Sequence, residues 1–194
     1  MPRREGNRVS NKGYLPPVSL VIGGARSGKS AHAESLIEES GLTPVYLATA
    51  TAGDGEMTDR IRRHQERRGG NWQTVEEPLD LVSALKEASS AESAVLVDCL
   101  TLWLSNLMTL SRDIEHETAS LTTAFPSLTG PIIFVTNEVG LGIVPANDLA
   151  RAFRDHAGRL NQAVAAKADR VTMMISGLPM TLNNKFENKR TSRV

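Results

Sequence analysis

The stretch "SLVIGGARSGKSAHAE", residues 19–34, decides the fold. It reads as an apolar strand, a glycine-rich turn and the start of a helix, and "GGARSGKS" (23–30) matches G-x-x-x-x-G-K-[ST] with Gly23, Gly28, Lys29 and Ser30. The spacing has a physical cause. Glycines let the backbone curl so that successive N–H groups and the helix N-terminus face a phosphate chain, while the lysine reaches the terminal phosphates and the Ser30 hydroxyl can ligate magnesium. A glycine-rich turn without a ligand is the bland alternative, and the strand-to-helix context argues against it.

Outward from this loop, short apolar runs alternate with helical patterns, which predicts parallel β-α-β construction. The runs are "VSLVIG" (18–23), "PVYLAT" (44–49), "WQTVE" (72–76), "AVLVDCL" (94–100), "PIIFVTN" (131–137) and "DRVTMMIS" (169–176). Several are apolar without strict alternation, as expected for strands covered on both faces. A helix over "SAHAESLIEES" closes at Gly41. Residues 147–168 predict a longer helix that starts at the N-cap Asn147, with Leu149, Phe153, Ala157, Leu160 and Val164 in one apolar stripe. Residues 101–125 read as two helices. The expected class is therefore α/β, a P-loop NTPase with a mostly parallel sheet and helices on both faces. The chain divides into a mobile extension (1–17), one folded unit (18–182) and a mobile tail (183–194).

Composition narrows the partners. The 194 residues hold 22 Lys and Arg against 22 Asp and Glu, so no overall field draws the protein to nucleic acid or an anionic membrane. Cys99 is the one cysteine and cannot form an internal disulfide, and the four histidines show no zinc-ligand spacing with it. No apolar run approaches the roughly 20 residues of a membrane span, and the basic start lacks the apolar segment of a signal peptide. A cytoplasmic enzyme acting on a small molecule fits these limits.

Two further residues carry chemistry. Asp98 ends the run "AVLVD", where an acidic residue on the magnesium side of a nucleotide site is placed, and Cys99 beside it reads as a buried thiol. In "EMTDRIRRHQERR" (56–68), Met57, Ile61 and His64 recur at steps of four and three, so His64 shares the inward stripe while Arg62, Arg63 and Arg67 flank it. An inward histidine among arginines is either a packed residue or a nucleophile toward phosphorus, and spacing alone leaves both open. His32, His116 and His156 read as structural or exposed. The segment "TNEVGLGIVPAN" (136–147) is rich in special turns; Glu138, Gly140, Gly142 and Pro145 shape either a plain connection or an edge of the site. On the long helix, Asp155 and Arg159 are four apart and are expected to pair.

"GGARSGKS", "YLATA" followed by "DGEMTDRIRRHQERR", "WQTVEEP", "LVDCLTLWLSNL" and "VTNEVGLGIVPANDLARAFRDHAGRLNQAVAAKADRV" together resemble the bifunctional adenosylcobinamide kinase/adenosylcobinamide-phosphate guanylyltransferase family of cobalamin biosynthesis, over roughly residues 18–182. The resemblance implies a RecA-like domain that performs two reactions. A phosphoryl group passes from ATP or GTP to adenosylcobinamide, and GTP then guanylylates a histidine from which adenosylcobinamide phosphate takes the GMP. His64 matches the guanylylated histidine. Carried over in the same way, Gly23, Gly24, Ala25, Arg26, Ser27, Gly28, Lys29 and Ser30 hold phosphates. Ala48, Thr49, Ala50, Gln65, Glu66, Arg67, Arg68, Glu76 and Asp98 touch the nucleotide, and magnesium sits on Ser30 and Asp98. The resemblance also implies a homotrimer with sites between subunits.

Three rival readings remain in sequence terms. A small-molecule kinase needs the loop and Asp98 but has no use for His64. A nucleotide-dependent switch would carry a guanine-reading Asn-Lys-x-Asp segment, and "TNEV" is not one. A DNA-acting RecA-like ATPase is disfavoured by the zero net charge.

Overall fold

The computed structural model describes residues 14–50 and 70–185. Seven strands form one sheet: β1 (Val18–Gly23), β2 (Thr43–Ala48), β3 (Gln73–Glu76), β4 (Ser93–Asp98), β5 (Ile132–Asn137), β6 (Arg170–Ile175) and β7 (Leu178–Asn184). Their order across the sheet is β3-β2-β4-β5-β1-β6-β7. All neighbours pair in parallel except β6 and β7, an antiparallel hairpin. The helices are α1 (Lys29–Ser40), α2 (Leu81–Ala88), α3 (Leu100–Thr109), α4 (Ile114–Ala124) and α5 (Asp148–Lys167).

The strands carry near-continuous apolar runs because both faces are covered, and alternate residues serve different cores. Val18, Leu20, Ile22, Val95, Val97, Ile132 and Phe134 face one way and pack with Leu85, Trp103, Leu104, Leu121, Leu160 and Val164 of α2 to α5. Val21, Ala94, Leu96, Ile133 and Val135 face the other way, against Ala33 and Ile37 of α1. The period-two division is what β geometry requires. Among the described residues, one helix therefore covers one face and four cover the other.

Each of the six expected runs overlaps a strand, with ends within two residues of those expected. Gly41 closes α1 in the left-handed region (φ 74°), and the Asn147 side chain accepts from the Ala150 N–H at 2.7 Å, as the capping pattern predicts. The long helix departs from the expected stripe at one position: Leu149 is exposed, because the first turn of α5 projects beyond the core that holds Ala157, Leu160 and Val164. Strand β7 was not expected at all, and it carries the sheet to Asn184, two residues past the expected boundary at 182. The expected Asp155–Arg159 pair is replaced by two others. Arg154 pairs with Asp155 at 3.0 Å, and Arg159 reaches Glu115 on α4 at 3.9 Å.

Candidate nucleotide site

The parallel register brings the carboxyl ends of the central strands together. Asp98 lies opposite Ala48 on one side and Val135 on the other, and Ala48 is also opposite Glu76. Gly23, at the end of β1, lies opposite Asn137 and Met174. Strand β5 separates β1 from β4, so about 10 Å lies between the glycine loop and Asp98 at strand level. A nucleotide phosphate chain spans a gap of that size.

The loop of residues 23–30 makes the turn that its spacing predicts. Gly28 is left-handed (φ 95°) and Arg26 adopts φ 55°. Gly28 caps α1 without a side chain, which leaves the first-turn N–H groups of the helix directed at an incoming anion. The glycines serve different ends. A Cβ on Gly23 would stand 2.5 Å from the Met174 carbonyl oxygen and 2.8 Å from Ser27 Oγ, so Gly23 is small because β6 and its own loop press on it. Gly24, with nothing within 4 Å of such an atom, faces open space. Gly24, Ala25 and Arg26 are exposed, Ser27 and Lys29 are buried, and Gly28 and Ser30 are half-buried.

Lys29 is held from both sides. Its Nζ donates to the Gly24 carbonyl at 2.6 Å, which keeps the ammonium folded into the loop. Burial pushes its pKa below the usual lysine range, and the Cys99 and Asp98 side chains oppose that shift. Cys99 is buried, with its thiol pushed up to about 11 by burial first and by Asp98 second. It is an inert thiol.

Thr49 and Ala50 follow β2 toward the same place. Thr49 Oγ1 donates to the Cys99 carbonyl at 2.7 Å and accepts from the Cys99 N–H at 2.9 Å, locking the ends of β2 and β4 together. The peptide between Asp98 and Cys99 is cis. Asn106 on α3 adds a tie that sequence reasoning missed: its Nδ2 donates to the carbonyls of Thr49 at 2.8 Å and Pro78 at 3.0 Å. The available signal was a lone amide inside the apolar helix "LTLWLSNLMT". A second missed cluster joins α3, β5 and α5. Thr136 Oγ1 donates to Asn161 Oδ1 at 2.8 Å, and Thr101 Oγ1 accepts from the Asn137 N–H at 2.8 Å. Both clusters fix strand ends and touch no charged group.

Of the remaining expected residues, Glu76 is exposed at the end of β3, on the rim. His64, Gln65, Glu66, Arg67 and Arg68 lie outside the described residues. His32 is half-buried on α1, with its pKa lowered by burial, then by Arg170, against a smaller opposing effect of Glu39. His116 is exposed at the start of α4, and His156 is half-buried on α5. A cleft of about 470 Å³ beside Glu76 is lined by Glu77, Asp80, Glu87 and Glu117, two of them paired with Arg112. It is acidic and does not suit phosphate.

A family model described as cobinamide kinase / cobinamide phosphate guanyltransferase matches residues 19–182. The bifunctional adenosylcobalamin biosynthesis protein CobP of Pseudomonas aeruginosa is 49% identical over 168 residues, covering 86% of this chain and 97% of that protein. The bifunctional adenosylcobalamin biosynthesis protein CobU of Salmonella typhimurium is 40% identical over 174 residues, covering 82% and 96%. Among solved structures, an ATPase from the type III secretion system of pathogenic bacteria superposes with a TM-score of 0.50 at 11% identity, covering 93% of this chain and 63% of that one. At that identity the last likeness speaks to the fold alone, and the fold is that of a P-loop NTPase.

Proposed function

The chain belongs to the cobinamide kinase / cobinamide phosphate guanyltransferase family, and we propose that both activities of that family are served by one nucleotide site, with Lys29 at the phosphates and His64 as the covalent carrier of GMP. The protein is a bifunctional enzyme of cobalamin biosynthesis, a kinase and a nucleotidyltransferase on a nucleotide-using fold. The observation that supports the site assignment is the loop of residues 23–30, with Lys29 buried in it and bonded to the Gly24 carbonyl, at the same sheet end as Asp98.

Phosphoryl transfer asks a protein mainly for positioning and charge neutralisation. The N–H groups at the start of α1 and the Lys29 ammonium supply both. In the kinase step, with ATP or GTP, the hydroxyl oxygen of adenosylcobinamide attacks the γ phosphorus and gives up its proton to solvent, the bond to the bridging oxygen breaks, and the nucleoside diphosphate leaves. In the transferase step, the electron pair of a neutral His64 ring nitrogen attacks the α phosphorus of GTP and pyrophosphate departs. A phosphate oxygen of adenosylcobinamide phosphate then attacks the same phosphorus and releases His64, giving adenosylcobinamide-GDP. The covalent stage divides one awkward three-body step into two displacements.

The residues fit magnesium. Ser30 and Asp98 are hard oxygen donors at the same end of the sheet, Ser30 in the first turn of α1 and Asp98 at the end of β4. One hydroxyl and one carboxylate are the sparse donor set of an ion held largely by substrate phosphates and water. When bound, it neutralises phosphate charge. We also assign a homotrimer, testable by light scattering after size exclusion, and a cytoplasmic place; among the described residues no helix is long and apolar enough to cross a membrane.

The deciding experiment incubates the protein and its His64→Ala variant with magnesium and GTP labelled at the α phosphorus, then denatures. Protein-bound label that is released by acid, resists alkali and disappears in the variant is expected, with the variant keeping its kinase activity. Absence of label on wild-type protein that binds GTP would leave a kinase without guanylyl transfer.

A further inference from the structure

We propose that the turn between β6 and β7 is part of the nucleotide site, and that Gly177 in it is a positioning residue that aims the Gly28 N–H at the phosphates. The inference rests on the nucleotide-site reading above and adds a piece of chain that the glycine motif does not contain. The turn consists of Ser176 (φ 51°) and Gly177 (φ 82°). The Gly177 N–H donates to the carbonyl of Ser27 at 3.0 Å. A trans peptide is planar, so a carbonyl held in one direction fixes the following N–H in the opposite one. With the Ser27 oxygen captured by the turn, the Gly28 N–H is turned away from it and joins the free first-turn N–H groups of α1.

The contact is tight on every side. A Cβ on Gly28 would lie 3.4 Å from the Gly177 Cα, and one on Gly23 would meet the Met174 carbonyl. Ser27 is enclosed between these pieces, and its buried hydroxyl has no hydrogen-bond partner among the described residues. The loop is thus gripped along the side facing the hairpin and open along Gly24, Ala25 and Arg26.

A purely structural turn would be expected to anchor a strand that adds to the core. Strand β7 adds little. Leu178, Met180 and Leu182 are all exposed, so the cohesion of the hairpin with the rest of the protein is concentrated on β6 and on the glycine loop. Fixing the loop in advance also has an energetic rationale: N–H groups already aimed at an anion need no ordering when it arrives.

The test uses the full chain and isothermal titration with magnesium and GTP, together with steady-state kinetics of both reactions. A residue other than glycine is strained at φ 82°, and because nothing lies within 4 Å of a Cβ on Gly177, Gly177→Ala acts through the backbone, while Gly177→Val adds two γ methyls to the same strain. The control is Gly41→Val, at the far end of α1, where φ is 74° and the space is equally open. Both should lower the unfolding temperature by similar amounts. Gly177→Val should weaken GTP binding about tenfold and raise the nucleotide KM of both reactions, as expected for misdirecting one hydrogen bond to a charged acceptor. Gly177→Asn, tolerant of the left-handed region, should recover most of the affinity, and Gly41→Val should leave it within about twofold. Should the valine variant not fold, the milder Gly177→Ala reads in the same direction. Wild-type GTP affinity in a folded Gly177→Val or Gly177→Ala protein, or an equal loss in Gly41→Val, overturns the proposal. Wild-type protein that binds no GTP overturns the nucleotide-site reading itself and the proposal with it.

Discussion

Two loops follow adjacent parallel strands at the same edge of the sheet, residues 23–30 after β1 and 138–147 after β5, and the Glu138 N–H donates to the Gly23 carbonyl between them. In sequence they look alike, each an apolar strand running into glycines and then a helix. In the structure they differ sharply. The first encloses Ser27 and Lys29 and is tied to α1 and the β6–β7 turn. The second leaves Leu141 83%, Ile143 97% and Val144 63% exposed, with its corners held by Glu138 accepting from the Gly140 N–H and Arg151 donating to the carbonyls of Pro145 and Ala146. Burying such side chains is worth roughly 1.5–3 kcal/mol each, and among the described residues none of it is gained. The first loop is closed and tied down on the side of the hairpin and open along Gly24, Ala25 and Arg26, as the proposed phosphate site needs. The second presents three apolar side chains that no described part of the chain covers.

The comparison breaks most severely at Lys29. Lys29→Ala should cut both the kinase and the guanylyl-transfer rates by about 10²–10³-fold, the scale for removing one preorganised donor from developing phosphate charge. Its folding stability should fall little, because the ammonium is penalised by burial and its main bond is to the adjacent Gly24 carbonyl. Rates measured on material with a wild-type unfolding midpoint check this; loss of only one activity would show that the two reactions do not share the loop.

The second loop should respond in the opposite sense. Leu141→Ser with Ile143→Ser is expected to leave stability within about 0.5 kcal/mol and the GTP affinity unchanged, while raising the KM for the corrinoid or dissociating the assembly. Kinetics with varied corrinoid and light scattering of the same sample separate these two results. A loss of stability in the monomer would show that the exposed side chains pack within the chain after all.

Much of this arrangement is legible in sequence because it is local. The glycine loop, its lysine and the Asp98 strand end are set by spacing within a few residues. What escaped reading comes from distant parts of the chain. Strand β7 hides because Pro179 interrupts its pattern, which an edge strand tolerates, and its exposed apolar residues bury no face that would give it a signal. Helix α2, eight residues long, is too short for its period to stand out. Asn106 and Gly177 act on the site through backbone carbonyls at Thr49, Pro78 and Ser27, and a hydrogen bond to a remote carbonyl leaves no mark in the local pattern.

The smallest effect sharpens the comparison through pH. His32 lies on α1 just behind the finished loop, with its pKa lowered by burial first and by Arg170 second. Its protonated form is therefore disfavoured by the fold, so the unfolded chain binds the proton more readily below its ordinary value of 6.5. Stability is complete above that pH and declines as the pH falls through and below it. The side chain is half open to solvent, which keeps the loss under about 1 kcal/mol. Urea unfolding at pH 7.5 and pH 5.5 should show the decline in the wild type and a flatter response in His32→Gln. An equal decline in both proteins would move the acid sensitivity to other groups. A flatter response confined to the His32 variant would place it at the helix that carries the phosphate loop, and not at the open apolar surface next to it.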